Sequence, residues 1–316
     1  MKSTALLIPF FRYPPREGKY YKVYFDALLK GLAIWGDEVD KVYLIDQEWN
    51  FSPQDLDKLR AIKPNSEILR SDVTGHHWEQ FKWAIPKITE DRILFLDNDV
   101  LIWKREVIKE WLSHDFALTF DGSGGLKEQV QEKFPILKKN DSIRMGSYYF
   151  TLPRKIFEEI PDYDFAPKMP YPTGTYIKEL DYYTMDGDWS DSFGLFTIKL
   201  LNYLLTPNFY RPFHFIEDDR SSISIIGNTG ISKRLGYYHI RNGNLPIYTL
   251  ASKIAHPEDY KRTLEITPIA ELTRLFAWFD YISPYHNEIL EVLRDVDIDE
   301  GKWNDYMKEF RNYHGL

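Results

Sequence analysis

The 316-residue chain is 43% hydrophobic and 28% charged, the composition of a folded globular protein able to bury about three quarters of its unfolded surface without staples. It has no cysteine, which excludes thiol nucleophiles, thiol redox chemistry, iron–sulfur clusters and cysteine-based zinc sites, and its 40 basic against 48 acidic residues (net charge -8) lack the basic excess of a general nucleic-acid binder. Its longest apolar stretches, such as residues 5–11, fall far short of the ~20 residues of a membrane span, and the N-terminal one is broken by Pro9 and runs into Arg12, unlike a signal peptide, so a cytoplasmic protein without a transmembrane segment is expected.

Residues 4–10 are a short apolar run interrupted by proline, the pattern of a buried strand. From 20 to 35, Tyr21, Tyr24, Phe25, Leu28, Leu29, Leu32 and Trp35 recur at spacings of three and four, the stripe of an amphipathic helix. A second strand follows at 41–45. Ser52 fits an N-cap, with Pro53 at the first helical position and Asp55 in the first turn, opening a helix to about residue 62. A third strand at 67–69 precedes a helix at 77–88 with Trp78, Phe81, Ile85 and Ile88 on one face, kinked or ended by Pro86. Residues 93–96 are a wholly apolar fourth strand. This alternation predicts a parallel sheet with helices on both faces and a ligand site beyond the carboxyl ends of the strands. No glycine-rich dinucleotide fingerprint or P-loop follows any of them.

Farther on, 116–120 and 148–152 read as strands, Pro153 as the start of a helix to about 160, and 190–205 as a helix. The Tyr-, Pro- and Gly-rich stretch 162–189 is too long for a plain connector and is a candidate lid or substrate-binding loop. Most of the 22 Tyr, 20 Phe and 9 Trp fill core stripes, whereas Tyr171, Tyr176, Tyr182, Tyr183 and Trp189 lie outside any periodic element, where an acceptor sugar is expected. Apolar positions from Leu272 to Phe279, from Ile289 to Leu293, and at Trp303 and Phe310 mark two or three C-terminal helices.

The segment 92–103, RILFLDNDVLIW, carries the most chemistry. It sets Asp97, Asn98 and Asp99 at the carboxyl end of a central strand, where two carboxylates one residue apart suit a hard divalent cation. Asp and Asn are also ordinary turn residues, and a turn alone is the bland alternative.

In this context the stretch 82–103, KWAIPKITEDRILFLDNDVLIW, resembles the metal-dependent nucleotide-sugar glycosyltransferases of the GT-A fold, in particular the glycogenin and galactosyltransferase-like branch. The resemblance implies a mixed central sheet flanked by helices over residues 1–262, with 263–316 as a helical extension packed on it. It implies Mn²⁺ or Mg²⁺ held by Asp99 and Asp97, the latter also facing the donor, with Asn98 beside them and Lys82 near the donor. In YYHIRNGN (237–244), His239 would complete the metal site and Arg241 would pair with a phosphate oxygen, although the glycine and lysine usual after that histidine are replaced here by Arg241, Asn242, Gly243 and Asn244. Pro9, Phe10, Arg12 and Tyr13 would hold the nucleobase and ribose, with Phe10 or Tyr13 stacking on the base. Gly146 and Ser147, after Met145, would form a small-residue turn touching the donor sugar. In DGDWSDSFG (186–194), Asp191 resembles the general base beside the acceptor, with Asp188 as its rival and helix capping as the structural alternative.

The implied activity is transfer of a sugar, from a UDP-sugar, to a hydroxyl of a saccharide or other acceptor. Two rivals stand beside it. DNDVL after an apolar strand also fits a haloacid-dehalogenase-like phosphatase, with Asp97 as nucleophile, Asp99 as acid and Asp218 and Asp219 as a late acidic pair, but about 90 residues precede the strand that usually opens such a chain. The other is a non-catalytic carbohydrate-binding protein on the same scaffold, since fold alone does not establish activity.

Overall fold

A computed structural model describes residues 2–10, 21–47, 51–73, 76–98, 100–121, 125–140, 144–160, 163–206, 209–216, 237–239 and 285–314, with scattered positions between 253 and 280. In chain order the strands are β1 (Thr4–Phe10), β2 (Lys41–Gln47), β3 (Ser66–Ser71), β4 (Arg92–Leu96), β5 (Val100–Ile102), β6 (Ala117–Asp121), β7 (Arg144–Pro153), β8 (Tyr176–Ile177), β9 (Tyr182–Tyr183), β10 (Leu205–Thr206), β11 (Phe209–Tyr210), β12 (His214–Phe215) and β13 (Tyr237–His239). The helices are α1 (Tyr21–Trp35), α2 (Pro53–Ile62), α3 (His77–Ala84), α4 (Arg105–Leu112), α5 (Lys127–Lys133), α6 (Ile156–Glu159) and α7 (Gly194–Leu204), followed by His286–Asp295 and Glu300–His314.

Seven strands form the central sheet in the order β12-β6-β7-β4-β1-β2-β3. β1 pairs in parallel with β2 and β4, β2 with β3, and β6 with β12. β7 alone among them runs antiparallel, between β4 and β6. The sheet is therefore mostly parallel but mixed, as expected of the central sheet, with β1 to β4 parallel where strand–helix alternation predicts it.

Strand alternation assigns each side chain to one of two cores. Leu6, Ile8 and Phe10 of β1 and Leu94 and Leu96 of β4 face a core shared with α1, α4 and the C-terminal helices, while Ala5, Leu7, Ile93 and Phe95 face one built with α3, α5, α6 and α7. Both faces are covered, which is why the central strands read as continuous apolar runs. The second core is dense in rings, with Phe95 stacked on Phe150 (4.3 Å) and Phe81 edge-on to Phe95 (5.1 Å).

The caps follow the sequence closely at α2. The Ser52 hydroxyl accepts the Asp55 N–H, the Asp55 carboxylate accepts the Ser52 N–H (3.0 Å), and Pro53 opens the helix. Pro86 ends the third helix early, as expected: α3 stops at Ala84 and a 3-10 turn over Ile85–Lys87 takes up the proline. Two other boundaries differ from expectation. Pro153 closes β7 instead of opening a helix, and α6 is a single turn starting at Ile156. β7 begins at Arg144, four residues before the apolar run at 148, because pairing with β6 extends it through Met145 and Arg144.

The C-terminal helices add to the first core: Ile289, Val292, Leu293 and Trp303 are fully buried in the cluster that includes Leu28 and Trp35 of α1, and the Tyr285 hydroxyl donates to Asp26 (3.2 Å). The helix predicted from Leu272 lies largely outside the described residues; Phe276 is buried in the same cluster. Among the described residues no helix is long and apolar enough to cross a membrane.

Trp303→Ala is expected to lower unfolding free energy by about 3–5 kcal/mol while leaving a single urea transition, because the side chain belongs to the main core. A separate early transition for the C-terminal helices, or no shift in midpoint, would contradict that shared core.

Candidate functional site at the carboxyl edge of the sheet

β4 delivers Leu96 fully buried and Asp97 and Asn98 half-buried at its carboxyl end. The Val100 N–H donates to the Asp97 carbonyl (3.2 Å), closing a turn from which the chain leaves as β5. Asp99 lies outside the described residues. β5 is fixed from below by α1: the Trp35 indole N–H donates to the Ile102 carbonyl (3.1 Å), and a Cβ on Gly31 would stand 3.3 Å from that oxygen, a tight contact that glycine avoids.

β5 has one partner strand among the described residues, β13, and their antiparallel register sets His239 opposite Val100, Tyr238 opposite Leu101 and Tyr237 opposite Ile102. Paired residues of such a ladder have Cα atoms about 4.5–5.5 Å apart. The backbone of His239 therefore runs beside the turn that carries Asp97 and Asn98. Its side chain, with Arg241 as a whole, lies outside the described residues. Among the described residues no three His, Asp or Glu side chains converge as a metal cage.

On the other side of β4, β7 runs past the end of its neighbour. Leu96 is opposite Tyr149, so Ser147, Gly146 and Met145 continue beyond the last paired residue of β4, at the same edge as Asp97. Gly146 is buried, and the side chain of Ser147 lies outside the described residues. The Met145 N–H donates to the Thr197 hydroxyl (2.6 Å), which donates in turn to the Phe193 carbonyl (2.8 Å), tying β7 to the first turn of α7.

α7 starts at Gly194 rather than near 190, and its N-cap position is Phe193, in a left-handed conformation (φ 67°) without a side-chain cap bond. Neither Ser190 nor Asp191 caps the helix. Residues 190–194 form a tight turn instead: a Cβ on Gly194 would lie 2.7 Å from the Ser190 Cβ. Phe193 tolerates its φ because its ring is locked against Phe165 (4.5 Å), Phe150 (5.6 Å) and the His77 imidazole (6.1 Å). The result presents Asp191, about one third exposed, with Oδ1 accepting the Ser192 N–H (2.7 Å) and Oδ2 3.2 Å from the Arg144 guanidinium. Arg144 is buried and gives further hydrogen bonds to the Ser192 carbonyl (3.2 Å) and the Met145 carbonyl (3.4 Å). Sequence reasoning misses Arg144, since a lone arginine ahead of a predicted strand carries no local signal.

The rival carboxylate has another occupation. Asp188 is buried, and its Oδ2 accepts the Tyr182 hydroxyl (2.9 Å) and the Met185 N–H (2.7 Å). That carboxylate holds the Tyr182 phenol above its ordinary range. Other members of the 162–189 stretch are also engaged. Tyr171 is buried with its hydroxyl 2.8 Å from Ser190, and burial pushes its phenol up more than that bond draws it down. Trp189 lies over Gly125, where a Cβ would come within 2.4 Å of the indole. Tyr176 and Tyr183 remain exposed, 46% and 64%, opposite each other on the β8–β9 ribbon with rings 4.7 Å apart.

Lys82, exposed on α3, stands 4.0 Å from Asp164. Burial works to raise the Asp164 carboxyl, but Lys168 (2.9 Å) and the Ala166 N–H (3.0 Å) outweigh it and hold the group below the usual carboxylate range. Pro9 is buried within β1. Phe10 is 1% exposed and packs edge-on against Phe51 (5.1 Å) and Phe25 (6.4 Å), so it is a core residue without a face for a nucleobase. Arg12 and Tyr13 lie outside the described residues, as do Asp218 and Asp219.

No protein-family model matches the chain, and no curated protein matches it in sequence. Solved structures similar to it include glucosyl-3-phosphoglycerate synthase of Mycobacterium tuberculosis, at 9% identity and a TM-score of 0.36 over 54% of this chain and 61% of that one. The same enzyme in complex with Mn²⁺, UDP and phosphoglyceric acid gives 11% identity and 0.35 over 54% and 60%. Its complex with Mn²⁺, UDP-glucose and glycerol 3-phosphate gives 10% and 0.36 over 54% and 61%. The match thus spans about three fifths of those chains.

Gly194→Ala is expected to cost about 1–3 kcal/mol, because the added methyl meets Ser190 and must open the turn that carries Asp191. Chemical denaturation of the purified variant checks this, and an unchanged midpoint would show that the turn relaxes freely.

Proposed function

We propose that the protein is a metal-assisted glycosyltransferase that moves a sugar from a nucleoside-diphosphate sugar, with UDP-sugars as the expected donors, to a hydroxyl of a saccharide or other acceptor. The observation that carries the reading is the β5–β13 register: two segments far apart in sequence, DND and YYHIRNGN, are backbone neighbours at the carboxyl edge of a mixed α/β sheet. Asp97, Asp99 and His239 form an oxygen and imidazole donor set suited to Mn²⁺ or Mg²⁺. Bound there, the cation would act as a Lewis acid on the departing diphosphate.

The remaining roles fall to this chain's own groups. Asp191 is the candidate base: its carboxylate takes the proton of the acceptor hydroxyl as that oxygen bonds to the anomeric carbon and the bond to the diphosphate oxygen breaks, an inverting displacement. Asp191 suits the part better than Asp188, because it keeps an open face while Asp188 is spent on Tyr182 and Met185. Gly146 and Ser147 border the donor sugar from β7, with Asn98 across the gap. Pro9, Arg12 and Tyr13 form the nucleotide side, Tyr13 taking the stacking role that Phe10 cannot. Lys82 and Arg241 are the candidate cations for the donor phosphates. Tyr176 and Tyr183 offer two exposed rings on which an acceptor sugar can lie.

With Mn²⁺, calorimetry against UDP- and GDP-sugars is expected to find one donor that binds, and Asp99→Ala is expected to abolish metal-dependent binding. Release of phosphate from phosphomonoesters, with no response to nucleotide sugars, would replace this reading by the phosphatase one. Asp191→Asn is expected to lower turnover by about 10²–10⁴-fold with donor affinity retained, whereas Asp188→Asn should act chiefly on thermal stability; the reverse pattern would exchange their roles.

A further inference from the structure

We infer that Arg144 is a positioning residue for the Asp191 carboxylate, an inference that rests on the transfer reaction proposed above. Arg144 is the first residue of β7, next to the Met145-Gly146-Ser147 segment that extends past β4. Its side chain is only 9% exposed, yet it carries a full charge in a position between a strand end and the 190–194 turn. One end of the guanidinium bonds the Ser192 and Met145 carbonyls, and the other meets Asp191 Oδ2 at 3.2 Å. A planar fork can do both at once, whereas an ammonium on a flexible stem cannot hold the same two directions. Removing Asp191 would leave a buried guanidinium without its carboxylate, and the hydrogen-bonded contact orients the Asp191 carboxylate as well as attracting it.

The neighbouring contacts restrict the same group from its other side. Oδ1 is held by the Ser192 N–H, Gly194 permits the tight turn that a side chain would force open, and Phe193 is locked in its left-handed conformation by three rings. What reaches solvent is the open third of the Asp191 side chain. The guanidinium therefore transmits the register of β7 to the carboxylate: whatever Gly146 and Ser147 touch, Asp191 is set at a fixed distance from it. A base displaced by about 1 Å loses on the order of 10² in rate.

A double-mutant cycle tests this. Turnover and donor KM would be measured with Mn²⁺ and the nucleotide sugar that the wild type uses, for Arg144→Gln, Asp191→Asn and the double variant. Arg144→Gln is expected to lower kcat by roughly 10²-fold with donor KM little changed, and to add nothing in the Asp191→Asn background. An equal loss in both backgrounds, or an effect on KM alone, would make Arg144 a purely structural or donor-binding residue and overturn the inference. Should Arg144→Gln not fold, Arg144→Lys carries the test: it shortens the reach, and adding Asp191→Glu is expected to recover part of the lost kcat. Absence of that recovery also overturns it. A folded wild type that transfers from no nucleotide sugar would instead sink the proposed reaction itself, an outcome distinct from an additive cycle.

Discussion

One antiparallel strand organises the carboxyl edge of this protein. In a parallel sheet every strand ends on the same side, and the edge is lined only by strand termini and the loops that leave them. β7 runs the other way between β4 and β6, so its first residues stand where its neighbours finish. It thereby extends a second set of side chains, ending with Arg144, past the point where β4 releases Asp97. Without that reversal the turn at 190–194 would have no anchor near the DND segment, because both Thr197 and Asp191 reach the edge through bonds to β7.

The same edge is stiff on one side and strapped on the other. The α7 side is packed with rings and closed by a glycine that has no space for a methyl group, the kind of packing that leaves little freedom to a side chain. The strap is β5, held by the Trp35 indole from the core and by β13 from a segment far along the chain. A carboxylate on a rigid turn tied to β7, with a strapped acidic turn at the end of neighbouring β4, is an arrangement suited to holding two reactants at a set separation. That is the physical content of the proposed transfer.

Much of this architecture is legible in the sequence where the signal is local. The stripe from Tyr21 to Trp35, the cap formed by Ser52, Pro53 and Asp55, and the buried runs at β1 and β4 lie where periodicity and capping chemistry set them. Local reasoning fails where a tertiary contact decides. Pro153 suits a helix start as well as a strand end, and pairing with Arg92 makes it the latter. Ser190 and Asp191 have the residue types of an N-cap, but the contact between Gly194 and Ser190 delays the helix. Phe10 follows a strand as a base-stacking ring should, yet alternation along β1 turns it into the core. The partnership of Arg144 and Asp191 has no periodic signature, since it joins two elements across the sheet edge. The DND and YYHIRNGN segments are legible as motifs, while their adjacency emerges only from the register of β5 and β13.

That register also bears on how the protein comes into being. Val100 and His239 are more than a hundred residues apart along the chain, so their ladder closes over a longer loop than the β1–β4 pairing and later in the chain than any pairing among β1 to β7. During synthesis the sheet from β1 to β7 has all its strands before β13 leaves the ribosome. The acidic turn therefore exists first with β5 unpaired, and the site acquires its second wall only when residue 239 has been made. A nascent chain halted short of that point would own most of its core and none of its candidate histidine, which separates the acquisition of stability from the acquisition of chemistry in time.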